Sequence, residues 1–162
     1  MLVAIISDTH DHIWNLHQAI EEINARGAEC LIHCGDLISP FMIKELSAFT
    51  GPKHLILGNN PGDVWLLSRV CNQSPEVYLH GWSATLEIDG LRLAVVHFPQ
   101  MAKGLATTGE YDLVCCGHTH VYEVQQIGQT LVVNPGEILG KEGPPTFALF
   151  DTKTRHIEKV IL

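Results

Sequence analysis

The sequence predicts an α/β fold, a four-layer αββα sandwich of two mixed β-sheets flanked by helices. Its first half alternates strand-like and helix-like segments, as parallel β-α-β units do. Its second half has many short strand-like segments and few helices, so those strands need a second apolar layer to pack against. With 162 residues, 46% of them hydrophobic and 17% charged, we expect a single domain over residues 1–162.

The first half reads as three β-α units. The first strand is predicted over residues 2–7, with Asp11 as the N-cap of the helix that follows. The apolar residues of this helix recur at helical spacing until Gly27; they are Ile13, Leu16, Ile20 and Ile23. The next two units pair strands with short helices, and their predicted ranges are 30–34 and 40–49, then 53–57 and 63–70.

The second half reads mostly as strands joined by tight turns. Asp89-Gly90 is a hairpin signal, and Gly128-Gln129 marks another turn. The last two strands are expected to pair with each other. The predicted strands span residues 77–79, 84–88, 91–97, 113–116, 121–127, 130–134, 146–151 and 155–161.

Charge and apolar content exclude several classes of partner. The net charge is −8, and the 10 Lys and Arg form no runs, so we expect no binding of long nucleic acid. The apolar runs are too short to cross a membrane, and no secretory leader is expected before the first strand. Five cysteines without a C-x-x-C pattern are expected to be reduced core residues. We therefore predict a cytoplasmic protein that does not associate with membranes.

Polar side chains follow five of the predicted strands. VAIIS leads into Asp8-Thr9-His10, CLIHC into Gly35-Asp36, HLIL into Gly58-Asn59, LAVV into His97, and LVCC into Gly117-His118-Thr119-His120. The carboxyl ends of strands in α/β sheets are where ligands bind, so we expect these groups to form one cluster. Two carboxylates, an amide oxygen and several imidazoles suit Mn²⁺, Fe²⁺ or Zn²⁺ better than Ca²⁺.

The spacing of these residues supports a metal site. Asp8 and His10 stand two apart, as do His118 and His120, so in extended backbone both members of each pair would point the same way. Glycines at 35, 58 and 117 would let the backbone come close to an ion or a phosphate. A single histidine is more often an ordinary polar residue, but burying all these groups without a counter-ion would cost several kcal/mol.

The remaining histidines fit the cluster less well. His17, His54 and His156 are read as ordinary surface or helix residues, because none of them follows a predicted strand within this pattern. His33 lies inside a predicted strand. It is either a core residue or a residue that packs behind the metal ligands.

The chain resembles the calcineurin-like metallophosphoesterases, specifically their small, cap-free phosphodiesterase branch, over essentially its whole length. The motifs that carry the resemblance are SDTHD at 7–11, GD at 35–36, GNN at 58–60, VVHF at 95–98, GHTH at 117–120 and NPGE at 134–137. The resemblance implies two divalent transition-metal ions, with Mn²⁺ expected and Fe, Zn or Ni as alternatives. It also implies a phosphodiesterase that hydrolyses a small organic phosphodiester or nucleotide by in-line attack of a metal-bridging hydroxide.

Residue by residue, the resemblance implies two ligand sets and a bridge. The first set is Asp8, His10, Asp36 and His120. The second set is Asp36, Asn59, His97 and His118. Asp36 would bridge the ions, and Asp36, Asn59 and His97 would act in catalysis. Asn134 and Gly136 of NPGE would help orient the GHTH histidines, or would simply form a tight turn.

The chain departs from the family where a proton donor is expected. Many relatives have a histidine at the position of Asn60, and an amide cannot act as a general acid. Where relatives often read H-G-H, His97 is followed by Phe98 and Pro99. His12 is a candidate to replace these groups as a catalytic residue; the alternative is an ordinary first-turn histidine.

Two other functions stay open on the sequence. One is a phosphomonoesterase or nucleotide-pyrophosphate hydrolase that uses the same centre. The other is a non-catalytic protein-binding scaffold like the retromer subunit of this fold, although every ligand position here holds a competent ligand. Without a cap, selectivity would come from loops or from a neighbouring subunit, so a homo-oligomer is also open.

Overall fold

The structure is a computed structural model that describes residues 1–162, and it contains two mixed β-sheets with four helices. The predicted fold class is confirmed. In chain order the elements are β1 (Leu2–Ile6), α1 (Ile13–Ala25), β2 (Cys30–His33), α2 (Met42–Leu46), β3 (Lys53–Leu55), α3 (Val64–Gln73), β4 (Val77–Leu79), β5 (Ser83–Ile88), β6 (Leu91–Val96), α4 (Pro99–Ala106), β7 (Leu113–Cys115), β8 (Tyr122–Ile127), β9 (Thr130–Pro135), β10 (Thr146–Asp151) and β11 (Ile157–Ile161).

The first sheet has six strands in the order β11-β10-β1-β2-β3-β4. Strands β1 to β4 run parallel, and β10 and β11 add an antiparallel edge, with these last two strands paired as predicted. Pairing of Ile6 with His33, and of His33 with Leu55, brings the carboxyl ends of β1, β2 and β3 to one edge of the sheet. Side chains of α1, α2 and α3 pack with this sheet in a core of 21 buried residues.

The second sheet has five strands in the order β5-β6-β7-β9-β8. Strands β6, β7 and β9 are parallel, while β5 and β8 pair with their neighbours in antiparallel fashion. Sixteen buried residues, including Ile5 and Ile32 from the first sheet and Leu93 and Leu113 from the second, form the core between the sheets. A smaller cluster packs α4 onto the second sheet. No helix is both long enough and apolar enough to cross a membrane.

Some predicted elements differ from the structure. Helix α4 was not predicted, because it has only eight residues with Gly104 among them and so gives a weak periodic signal. Its apolar residues Ala102 and Ala106 are nevertheless buried, and Pro99 occupies the first turn, where a missing N–H costs little. Helix α2 is shorter than predicted at Met42–Leu46, and β3 ends at Leu55.

The predicted N-cap of α1 is wrong. The His12 side chain caps the helix, because the Asn15 backbone N–H donates to His12 Nδ1 over 3.2 Å. The Asp11 carboxylate instead accepts hydrogen bonds from the Ser39 N–H and hydroxyl, at 2.8 and 2.6 Å. Asp11 therefore ties the loop after β1 to the loop after β2 instead of starting the helix.

All five cysteines are buried free thiols, as expected of core residues. Burial raises the pKa of Cys30 and Cys71 to about 11 and that of Cys116 to about 12. These thiols therefore stay protonated at neutral pH and behave as small apolar groups.

His33 is a fully buried histidine at the end of β2. Its Nδ1 accepts a hydrogen bond from the Gly35 N–H over 3.2 Å, so its Nε2–H donates to the Thr9 hydroxyl at 3.1 Å. Burial lowers the pKa of His33 to about 4. A neutral His33 thus supports Thr9, which lies between Asp8 and His10. This favours a residue that packs behind the candidate metal ligands over a simple core residue.

We predict that His33 makes the metal-free protein less stable as the pH falls. The unfolded chain takes up a proton near pH 6.5, whereas folded His33 stays neutral until about pH 4. Unfolding therefore becomes easier across this window, by about 2 kcal/mol at pH 5 relative to pH 7. Urea unfolding of the wild type and His33→Gln in EDTA at both pH values measures the difference.

The exposed His156→Gln variant serves as the control, because it removes a histidine ring that is open to solvent instead of one in the core. Equal losses of stability between pH 7 and pH 5 in the wild type and in His33→Gln would contradict the prediction.

Candidate metal centre

The candidate site lies where strands of both sheets end. Backbone hydrogen bonds join its loops, from Asp8 N–H to the Gly35 carbonyl at 3.0 Å and from His10 N–H to the Asp36 carbonyl at 3.1 Å. On the second sheet, Gly117 N–H donates to the His97 carbonyl at 3.0 Å. The loop after β1 is thereby fixed next to the loop after β2, and the loop after β6 next to the loop after β7, as the strand-end pattern predicts.

Two carboxylates form the floor of the site, since Asp8 is 0% and Asp36 2% exposed. Asp8 Oδ1 lies 3.4 Å from His120 Nε2, 3.7 Å from His10 Nε2 and 4.0 Å from His97 Nε2. Asp36 lies between two of these rings, with Oδ2 3.4 Å from His10 Nε2 and Oδ1 3.6 Å from His97 Nε2. Three imidazoles and two carboxylates therefore face one small volume.

Two overlapping groups of side chains could each hold a metal ion. Within each group all ligand atoms lie within 4.8 Å of one another. The groups are Asp8, His10 and His120, and Asp8, Asp36 and His97. By this geometry Asp8 belongs to both groups, while Asp36 also approaches His10 of the first group.

The hydrogen bonds of the His97 ring determine which of its nitrogens is free. His97 Nδ1–H donates to the Cys34 carbonyl at 2.8 Å, so in the neutral ring Nε2 carries the lone pair. This Nε2 faces Asp36 and Asp8, and it lies 2.9 Å from the Asn59 amide oxygen. Acceptor atoms with no donor between them repel one another, and a cation would remove that repulsion.

Unpaired buried atoms give a further test of whether a cation fits. Asp8 Oδ1 and His10 Nε2 are buried and have no hydrogen-bond partner. Each such atom costs about 1–3 kcal/mol unless something else binds it. Both point into the volume described above and are typical ligand atoms for a divalent transition metal. The residues present therefore fit a metal centre.

Asp8 and His10 each change the pKa of the other. Burial alone would raise the pKa of Asp8, but His10 and other nearby groups outweigh burial and hold that pKa below its usual value. Asp8 in turn raises the pKa of His10. Asp8 is therefore ionised at neutral pH and contributes a negative charge to the centre.

The backbone of most candidate ligand residues is left-handed. Five of them have φ between 41° and 72°, namely Asp8, His10, Asp36, His118 and His120. The extended backbone predicted for D-x-H and H-x-H is therefore wrong, although both pairs do reach the cluster. Left-handed conformations cost roughly 1–2 kcal/mol per residue and concentrate at functional sites.

Two glycines leave room for the carboxylates. A Cβ at Gly58 would lie 2.0 Å from Asp36 Oδ1, and a Cβ at Gly117 would lie 2.6 Å from Asp8 Oδ2 and 2.0 Å from Ser7 Oγ. No side chain fits at such distances. The glycines were predicted to bring the backbone close to an ion or a phosphate. In the structure, Gly58 and Gly117 let the carboxylates of Asp36 and Asp8 lie directly against the backbone.

Asn59 and His118 complete the cluster on its exposed side. His118 Nδ1 lies 2.8 Å and His97 Nε2 2.9 Å from Asn59 Oδ1, and the His118 backbone N–H donates to Asp8 Oδ2 at 3.0 Å. The His118 ring also packs against Phe98 with 4.6 Å between ring centroids. The structure thus brings all seven predicted metal ligands together, with Asn59 and His118 at the mouth.

Asn60 and Pro99, which depart from the family pattern, and His12, the candidate to replace the lost groups, all have other contacts. Asn60 donates to both oxygens of Asp36, from its backbone N–H at 2.8 Å and from Nδ2 at 2.6 Å. Pro99 is buried in the first turn of α4. His12 caps α1 and lies beside Trp14, with ring centroids 5.9 Å apart. Asn60 therefore positions a carboxylate, and a catalytic role for His12 stays a prediction.

The NPGE turn supports the GHTH loop. Asn134 Nδ2 donates to the Gly117 carbonyl at 2.8 Å and to the Thr119 hydroxyl at 2.9 Å. Glu137, which the sequence interpretation gave no role, contacts His120 Nδ1 through Oε2 at 2.6 Å. The only sequence signal for it is an acidic residue at the end of NPGE, next to apolar neighbours.

Comparison with known proteins identifies the family. The calcineurin-like phosphoesterase superfamily domain matches residues 1–155. The chain is 34% identical over 165 residues to phosphodiesterase MJ0936 of Methanocaldococcus jannaschii, with 100% of this chain and 99% of that protein covered. A solved archaeal phosphodiesterase, also 34% identical, superposes with a TM-score of 0.93 and 100% of both chains covered.

More distant structures share the fold alone. Vps29 of Entamoeba histolytica in complex with Zn²⁺ has a TM-score of 0.70 at 15% identity, and the phosphoesterase YfcE of E. coli has 0.70 at 17%, each with 99% of both chains covered. The domain match and the full-length relative confirm the predicted family and the predicted activity, hydrolysis of phosphoric esters. The chain belongs to the calcineurin-like phosphoesterase superfamily, whose members use divalent metal ions.

Proposed function

We propose that this chain is a metal-dependent phosphodiesterase that hydrolyses a small organic phosphodiester or nucleotide. The observation that carries the proposal is that Asp8 Oδ1 and His10 Nε2 are buried without a hydrogen-bond partner, and that the Nε2 atoms of His97 and His120 face the same Asp8 oxygen. Full-length similarity to a phosphodiesterase supports the choice of reaction.

The proposed centre binds two divalent ions, with Mn²⁺ preferred. One ion is assigned to Asp8, His10, Asp36 and His120, and the other to Asp36, Asn59, His97 and His118. When bound, such ions activate water and neutralise charge on phosphoryl oxygens. The position of Asp36 between His10 and His97 supports its assignment as the bridge.

The chain's own residues orient the substrate. Asp8 and Asp36 are buried, whereas Asn59, Asn60 and His118 are exposed, so a phosphate ester approaches from their side. Asn59 and His118 hold each other by the 2.8 Å contact, and Phe98 supports the His118 ring. The mouth of the site is thus held in place by side-chain contacts, which favours a fixed orientation of the bound ester.

A small substrate fits the charge distribution better than a polymer. The ion pairs at the site involve only histidines and carboxylates. No lysine or arginine takes part in these pairs, so binding of the phosphate would depend on the metal centre itself. A net charge of −8 adds general repulsion of polyanions. These features support a substrate with one phosphate ester group.

The leaving group must depart without a strong acid at position 60. The Asn60 amide is engaged with Asp36, and Pro99 presents no proton donor. A positioned general acid typically contributes about 10²- to 10⁴-fold, most when the leaving group is a poor one. We therefore propose that esters with stable leaving groups are preferred.

The expectations of a single domain over 1–162, a cytoplasmic location and a homo-oligomer are retained as parts of this proposal.

The proposal predicts metal-dependent hydrolysis of aryl and nucleotide-like phosphodiesters. Protein stripped with EDTA and reloaded separately with Mn²⁺, Zn²⁺, Fe²⁺ or Mg²⁺ is assayed against phosphodiesters, phosphomonoesters and pyrophosphates. Aryl diesters should be hydrolysed fastest in Mn²⁺, and alkyl diesters at least about 10²-fold more slowly. Faster hydrolysis of monoesters or pyrophosphates would reassign the reaction, and inactivity of the metal-loaded protein on every substrate would favour the scaffold alternative.

Asp36→Asn should reduce kcat/KM more than Asn59→Ala, by about tenfold or more. Asp36 faces His10 and His97, so loss of its charge weakens both proposed sites, whereas Asn59 contacts only His97 and His118. Steady-state kinetics over a range of Mn²⁺ concentrations measure this, with the exposed Glu87→Gln as control. Near-normal turnover of Asp36→Asn at saturating metal would disprove the bridging assignment.

A further inference from the structure

Glu137 is a buried acidic residue just after β9, with 1% of its surface exposed. Its backbone is fixed by its neighbours. The Thr146 N–H donates to the Glu137 carbonyl at 2.9 Å. The next two residues, Ile138 and Leu139, donate to the Ser7 and Asp8 carbonyls at 3.1 and 3.0 Å. The segment that carries Glu137 is therefore attached to the loop that carries Asp8.

Both oxygens of the Glu137 carboxylate are occupied. Oε2 accepts a hydrogen bond from His120 Nδ1–H at 2.6 Å, and Oε1 accepts one from the Glu142 backbone N–H at 2.5 Å. His120 is the only ion-pair partner of this carboxylate. Neither group of candidate metal ligands includes Glu137. Its only direct contact with a candidate ligand is therefore the one with the His120 imidazole.

The contact determines what His120 can do on its other side. Because Nδ1 carries the proton, Nε2 of the neutral ring has a free lone pair, and this atom lies 3.4 Å from Asp8 Oδ1. A carboxylate behind an imidazole fixes the ring orientation and makes the opposite nitrogen a better metal ligand. His97 differs, since its Nδ1–H donates to the neutral carbonyl of Cys34.

We propose that Glu137 is a positioning residue that orients His120 and strengthens binding of the ion that His120 ligates. This inference rests on the proposed metal centre and adds a residue outside its ligand sets. The effect should be selective for one of the two ions, because Glu137 contacts His120 and none of the other candidate ligands.

The test is the metal affinity of Glu137→Gln in the full chain. Glutamine keeps the size of the side chain and removes its charge. Calorimetric titration of the EDTA-stripped protein with Mn²⁺, and separately with Zn²⁺, gives the dissociation constant of each ion. We expect one dissociation constant to rise about 10- to 100-fold and the other to change little. Excess Mn²⁺ should restore kcat, so the defect appears in the metal concentration needed for activity.

Glu142→Gln is the matched control, because it removes a carboxylate from the same loop. The Glu142 side chain is exposed and pairs with Lys141, while its backbone N–H to Glu137 stays in place. Its metal affinity should remain at the wild-type value. Thermal unfolding of both metal-free variants separates a purely structural effect, which would lower the melting temperature of Glu137→Gln without a selective loss of metal affinity.

The outcomes are distinguishable. Wild-type affinity for both ions in Glu137→Gln, or an equal loss in Glu142→Gln, would overturn this inference and leave the proposed function intact. A wild-type chain that binds no ion would overturn both.

Discussion

The burial of Asp8 and Asp36 beside each other is the constraint on which the site depends. Both carboxylates are almost fully shielded from water, and their ion-pair partners are histidines. Taking such charges out of water costs several kcal/mol each, and the cost is recovered only if positive charge lies close by. One oxygen of Asp8 is left without a hydrogen bond. A metal centre explains such a cluster, because without a cation its burial would destabilise the folded protein.

The fold provides the rigidity that this constraint needs. The candidate ligands come from loops of both sheets, so their spacing depends on the core of 16 buried residues between the sheets. Hydrogen bonds between loops, such as Asp8 N–H to Gly35 and Gly117 N–H to His97, lock the strand ends together. The same packing offsets the left-handed backbone of the ligand residues, which would not persist in a flexible loop. Hydrogen bonds to the candidate ligands, from Asn60 to Asp36 and between Glu137 and His120, further restrict the orientation of these side chains.

The sequence was sufficient to predict the two-sheet architecture and the residues of the cluster. Strand ends at one edge of a sheet follow from β-α-β connectivity, so Asp8 and Asp36 could be placed together without coordinates. The helix after His97 was missed because a short segment with Gly104 carries little periodic signal. The N-cap of α1 was misassigned because the choice between Asp11 and His12 depends on the distant Ser39, which only the fold brings near.

The orientation of individual side chains could not be predicted from the sequence. Spacing of two suggested extended backbone for Asp8 and His10, whereas the chain turns sharply there in the left-handed region. The partner of Glu137 was equally hard to predict, because His120 lies on the loop after the neighbouring strand β7. Such contacts are long-range in sequence and depend on the register of both sheets. Sequence motifs therefore indicate which residues meet, and the structure shows how each one is held.

An anomalous-scattering map from crystals of the protein grown with Mn²⁺ would locate any ions bound at this cluster. Two peaks are expected, one within coordination distance of a ring nitrogen of His10 or His120 and the other within coordination distance of His97 or His118. Asp36 should lie between the two peaks. A map with no peak at this cluster, or with ions bound only at sites away from Asp8 and Asp36, would show that these carboxylates do not hold a metal centre.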